Sequence, residues 1–172
     1  MRLVSPCEEL EFAFQAFLAD FKARDPDNAA FYQSNLPFSE YVEWLQAQQY
    51  KNQGDMPPCH HFWFCDEINQ IVGAIRIRHH IESPFLKREV GHIGYDVAPS
   101  FRGRGVATKM LKQALIAAKN LGLDKVLVIA DKTNRASQQV IERNGGKKWV
   151  AADQNPELIY YWCHTHSVSN SR

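Results

Sequence analysis

The chain has 172 residues, 45% of them hydrophobic and 23% charged, with a formal net charge of +1. Those values fit one domain with a sizeable core and exclude an intrinsically disordered chain. They give no whole-molecule attraction to nucleic acid or an anionic membrane, and no apolar run reaches the roughly 18 residues that a bilayer span needs.

Residues 2–4 suit a short first strand. The opening MRLVSPCEELEF carries acids where a signal peptide needs an apolar segment, which predicts no export and a cytoplasmic protein. From 8 to 22, Leu10, Phe14, Phe17, Leu18 and Phe21 recur at three- and four-residue steps, the pattern of an amphipathic helix. Asp25-Pro26-Asp27-Asn28 reads as its end. A second helix is predicted over 39–49, with Ser39 as N-cap and Tyr41, Trp44 and Leu45 as its apolar stripe. Residues 52–58 read as a Gly/Pro loop.

Strands are predicted over 61–65 and 71–77, joined as a hairpin. The cluster Cys59, His60, His61 and Cys65 raises the question of zinc. In a strand, six residues part the two cysteines by about 20 Å, whereas zinc ligands lie about 2.0–2.3 Å from one point, so no metal is expected. Cys7 and Cys163 are also scattered, which favours free thiols over a disulfide frame. A loop over 82–87 precedes a strand over 91–97. The clearest helix spans 103–121, with Val106, Met110, Ala114, Ala117 and Leu121 in register and Gly122 as its stop. The apolar run over 125–130 suits a strand covered on both faces. A helix over 134–143, strands over 147–151 and 158–163, and a frayed polar tail over 165–172 complete the chain. The layout predicts one α+β domain over 1–164 with a mixed sheet.

The chemistry concentrates in residues 91–107, GHIGYDVAPSFRGRGVA. A strand, a glycine turn and a helix start in that order present backbone N–H groups and nearby guanidinium groups to one point, which suits a pyrophosphate. The turn is not a P-loop, because no Gly-Lys-Ser or Gly-Lys-Thr occurs in the chain. It is not a dinucleotide fingerprint either. Thr108 stands where the third glycine belongs, and no βαβ unit precedes it.

What remains is V-x-P followed by R-x-x-G-x-A, from Val97 to Ala107. It resembles motif A of the GNAT N-acetyltransferases, written (Q/R)-x-x-G-x-(G/A). The likeness continues through the apolar strand over 126–130, Asn134-Arg135-Ala136-Ser137 at a helix start, and Asn144-Gly145-Gly146. It covers about 60–150, and its wording resembles a bacterial branch of predicted acetyltransferases. The resemblance implies a mixed sheet of about six to seven strands flanked by helices. It also implies acetyl-CoA as co-substrate and acetyl transfer to a primary amine by direct attack in a ternary complex. The acceptor would be a small amine or a peptide or protein amine, and the molecule a monomer or homodimer. The residues it assigns to the cofactor are Val97, Arg102, Gly103, Arg104, Gly105, Val106, Ala107, Thr108, Asn134 and Ser137. Val97 is the position whose main chain pairs with the pantetheine arm.

One departure stands out. The family's tyrosine acid lies seven residues after the Asn, and here that position is Ile141. Ser137 is a substitute candidate for acid, and Glu89, His92 and Tyr95 are candidates for base. In a regular strand Glu89, Gly91, Ile93 and Tyr95 share one face and His92, Gly94 and Asp96 the other, and a bulge at Gly94 would exchange them. The sequence leaves open which set faces the cleft. Ile141 also motivates a second reading, a non-catalytic CoA-binding sensor.

Overall fold

The segments of period two become strands and those of three- and four-residue steps become helices, in a computed structural model that describes residues 1–167. The strands are β1 Arg2–Val4, β2 Cys59–Cys65, β3 Ile71–Arg78, β4 Ile93–Val97, β5 Lys125–Asp131, β6 Lys147–Trp149 and β7 Leu158–His164. They form one seven-stranded sheet in the order β1-β2-β3-β4-β5-β7-β6. Every neighbouring pair is antiparallel except β4 and β5. Those two are parallel and need a crossover, which a helix supplies.

That helix is α4, Val106–Asn120. Its inner face, including Val106, Met110, Leu111, Leu115 and Ala118, packs on Ile75, Ile77, Ile93, Val126 and Val128. Leu111 and Leu115 are fully buried, and such a side chain contributes about 1.5–3 kcal/mol relative to exposure. Gly122, at φ +85°, ends the helix with its N–H on Lys119 O while Leu123 N–H returns to Ala118 O. The other sheet face carries α1, Glu11–Arg24, and α3, Phe38–Ala47. Phe14, Phe17, Phe21, Tyr41 and Leu45 close over Trp63, Ile71 and Ala74 there. Leu127 on β5 belongs to a third cluster with Ile81, Leu86 and Tyr160, so the apolar run of β5 is covered on both faces.

Several local expectations are corrected. Ser39 is not the N-cap of α3; Pro37 holds that place, and a residue without an N–H fits a helix start. Residues 25–28 are not simply a terminator: Pro26 opens α2, Pro26–Ala29, and a 3-10 turn follows at Ala30–Tyr32. Residues 82–87 lead into a π-type turn, Leu86–Val90, closed by Gly91 at φ +72°. A Cβ on Gly91 would lie 2.7 Å from Leu127 O, so glycine alone fits there. No bulge interrupts β4 at Gly94, because five successive partners from Gly73↔Val97 to Ile77↔Ile93 keep register. β6 ends at Trp149. Thr165 is not frayed: its N–H donates to Asp124 O and its hydroxyl to Leu123 O. The rest of the predicted tail, residues 168–172, lies outside the described residues.

Candidate active site

The functional geometry begins where β4 and β5 part. They share one register pair, Ile93↔Val128, and no more. Ala98 N–H bonds to Val72 O on β3, and Gly73 stands opposite Val97. Alternation along the ladder then directs the backbone groups of Tyr95 and Val97 away from β3, toward the gap. The gap opens into a cleft of about 520 Å³. Tyr95, Val97, Arg102, Gly103, Gly105, Val106, Ala107, Thr108, Asn134 and Ser137 all line it.

Gly105, at φ +73°, is the N-cap of α4 and offers no side-chain cap. The first N–H groups of the helix, from Val106 onward, therefore lack intrahelical partners at the cleft. Gly103 is also left-handed, at φ +75°. Apart from the adjoining residues, no described heavy atom lies within 4 Å of where a Cβ on either glycine would sit. The result is an open cradle of backbone donors at the positive end of a helix, fitted to a phosphate group.

The two arginines of the turn behave differently. Arg102 lines the cleft, but its Nε donates to Val97 O at 3.0 Å and its Nη2 to Asp25 Oδ2 at 2.5 Å. The Val97 carbonyl is thus engaged within the chain. Asn28 and Arg102 together hold the Asp25 carboxyl below the usual carboxylate range. Arg104 does not line the cleft; its guanidinium lies over the Phe101 ring, 5.6 Å from the centroid. The cleft has cationic lining that sequence reasoning missed in Arg143 of α5, Arg135–Arg143. Its signal was present: Ala136, Ser137, Gln139, Val140 and Arg143 recur at helical steps, so they share one face.

Across the mouth, Tyr95 Oη and Ser137 Oγ are 2.8 Å apart. Burial pushes the Tyr95 hydroxyl up to about 12. A phenolate base is therefore scarce at neutral pH, and the group keeps a proton that it can donate in a hydrogen bond. Asn134 Oδ1 accepts from Ser137 N–H at 3.0 Å, so Asn134 caps α5 as well as lining the cleft. Ile141 is fully buried in the main core rather than turned to the cleft.

The other two candidate bases lie elsewhere. Glu89 accepts from Asn155 Nδ2 at 3.0 Å, outside the cleft lining. His92 is 6% exposed, and its ring Nδ1 accepts from Leu127 N–H at 2.9 Å while its backbone N–H donates to Leu127 O. It clamps β4 to β5 just before they part. Burial, reinforced by Arg78, depresses its pKa to about 4. His61, half-buried and near Arg76, also falls to about 4 as desolvation disfavours its charged form. A histidine in the unfolded chain titrates near 6.5. Between those values the unfolded chain binds more protons, so this contribution is full above about pH 6.5 and is lost as pH falls toward 4. The urea midpoint is expected to drop between pH 7 and pH 5, and an unchanged midpoint would contradict the clamp.

Among the described residues no three His, Cys, Asp or Glu side chains converge to hold a metal. The four cysteines are free thiols. No helix among the described residues is long and apolar enough to cross a membrane.

A mixed sheet whose two parallel strands part over a glycine turn and a helix N-terminus is the frame of an acyl-CoA N-acyltransferase. The acetyltransferase (GNAT) domain family matches residues 8–147, and the chain belongs to that family, whose members are N-acetyltransferases. No curated protein matches the chain in sequence. Among solved structures it is similar to RimL, a ribosomal L7/L12 alpha-N-protein acetyltransferase in complex with coenzyme A. That pair has 19% identity and a TM-score of 0.65, covering 95% of this chain and 93% of that one. It is similar to the microcin C7 self-immunity acetyltransferase MccE, in complex with acetyl-CoA and AMP. There the identity is 15% and the TM-score 0.63, covering 94% and 91% of the two chains. A chimera of the Vibrio cholerae spermidine N-acetyltransferase SpeG aligns at 15% identity and a TM-score of 0.62, over 95% of this chain and 94% of that one. At these identities the likeness establishes the fold.

Proposed function

We propose that this protein moves an acetyl group from acetyl-CoA to a primary amine by direct attack in a ternary complex, in the cytoplasm. The observation that carries the reading is the parting of β4 and β5 beside the open glycine cradle. The N–H groups at the start of α4 would hold the pyrophosphate, with Gly103 and Gly105 admitting it and Arg143 adding charge. The gap-facing backbone of Tyr95 and Val97 would meet the pantetheine arm. Acetyl-CoA, when bound, supplies an acetyl thioester. Tyr95 Oη keeps its proton at neutral pH and, oriented by Ser137, donates a hydrogen bond at the mouth of the gap. Free thiols, three of the four buried, support a reducing compartment. With Ile141 in the core and Tyr95 at the mouth, the feature that motivated a sensor no longer favours one.

Thermal-shift titration with acetyl-CoA tests the first half of the reading. At about 100 times Kd the ligand is expected to stabilise the fold by about 2.7 kcal/mol. Thiol release across an amine panel tests the second half. A folded protein that acetyl-CoA does not stabilise would overturn the reading. Binding without turnover of any amine would restore the sensor.

A further inference from the structure

The acceptor side of the site is also built. Asp96 projects from β4 on the α1/α3 face, opposite Tyr95, and is among the residues that line the cleft at the gap. Tyr32 Oη donates to its Oδ2 at 2.5 Å. Arg76 Nη2 stands 3.8 Å from the same oxygen, an ion pair too long to be a hydrogen bond. No residue among those described hydrogen-bonds Oδ1. Tyr32 and Arg76 are also walls of a second groove of about 80 Å³, lined by Phe31, Tyr41, Trp44 and Phe62. Asp96 thus lines the cofactor cleft and contacts two residues of an aromatic groove.

The groove has a definite chemistry. Its walls are rings, with Tyr41 and Trp44 stacked at 20° and Phe31 and Trp44 exposed to solvent. Its lining includes no carboxylate, and Arg76, over the Phe31 ring, is its fixed cation. His61 in the same wall is held neutral at neutral pH. A ligand there meets an apolar body site and repulsion for any further positive charge, with the Asp96 carboxylate one residue away, in contact with the groove's Tyr32 and Arg76.

We propose that Asp96, positioned by Tyr32, binds the acceptor's ammonium group, and that the aromatic groove selects a monoamine with a compact apolar or aromatic body over a polyamine. The assignment rests on the acetyltransferase reading for the use made of the amine, but the binding itself is measurable without cofactor. Titrations of 2-phenylethylamine and spermidine into the wild-type protein, followed by NMR, supply the readout. 2-Phenylethylamine is expected to bind more tightly than spermidine. Asp96→Asn is expected to weaken 2-phenylethylamine about 10-fold or more, the scale of a hydrogen bond to a charged group. Asp96→Glu restores part of that loss, and Trp44→Ala weakens 2-phenylethylamine while leaving acetyl-CoA stabilisation intact. An unchanged circular-dichroism spectrum and melting profile in Asp96→Asn shows that the variant is folded. Equal amine affinity in Asp96→Asn, tighter spermidine than 2-phenylethylamine, or no binding of 2-phenylethylamine would each overturn the proposal. Asp96-dependent amine binding in a protein that ignores acetyl-CoA would sink the acetyltransferase reading and leave the subsite standing.

Discussion

Gly105→Glu is expected to abolish acetyl-CoA binding while the protein stays folded. The position has φ +73° and empty space around a would-be Cβ, so the first atom of the new side chain meets no obstacle, and Gly105 itself lines the cleft. The new side chain fills the cradle and sets a carboxylate where a pyrophosphate would sit. The backbone cost is that of a left-handed residue bearing a Cβ, about 1–2 kcal/mol, which lowers the melting temperature by about 2–8 °C for a domain of this size. Gly122→Ala is the matched control. It carries a similar strain at φ +85°, again with open space, but at the far end of α4. Circular dichroism should show both variants folded and similarly weakened, and only the first should lose its thermal shift with acetyl-CoA. Retained affinity in Gly105→Glu would remove the pyrophosphate from the start of α4.

That cradle was legible in the sequence because its cause is local. A strand period, two glycines and a helical period within 17 residues fix both the turn and its chemistry. The same holds for α4, β5 and α5, whose periods are long and clean. What was not legible depends on partners far along the chain. Arg102 reads as a free phosphate ligand until Asp25, 77 residues earlier, is found on its guanidinium. His92 reads as a base because its solution pKa suits one, and only the Leu127 backbone and the burial around it show a neutral clamp. Glu89 reads as adjacent to the strand, but the π-type turn carries it toward Asn155. Tyr32 and Asp96 are 64 residues apart, and no periodicity links them. Parity along β4 did sort its residues correctly into Tyr95 on one face and Asp96 on the other. Which face met which cavity was decided by α1, α3 and α4, whose packing the strand does not encode.

Tyr95→Phe is expected to lower kcat by about 100-fold, the lower range for removing one preorganised donor from a developing anion, with acetyl-CoA affinity unchanged. The ring and the gap-facing backbone of residue 95 survive the change; only the hydroxyl that meets Ser137 is lost. Magnitude favours a donor over an acid that ionises. With the phenol pushed up to about 12 and a thiol near 8.5, full proton transfer to a leaving thiolate runs uphill by several pH units. A hydrogen bond to the charge growing on sulfur carries no such penalty, and the proton itself then comes from water. Two consequences separate this donor from an acid that ionises. The wild-type rate should show no alkaline decline through Tyr95 below about pH 11, because its folded pKa is raised above the usual value near 10. Ser137→Ala should lower kcat less than Tyr95→Phe, and the double variant should be no slower than Tyr95→Phe alone, since Ser137 acts through the hydroxyl it orients. A Tyr95→Phe enzyme with normal kcat and a raised KM for acetyl-CoA would make the hydroxyl a cofactor-binding group and return the search for the thiolate's partner to the gap-facing backbone of β4.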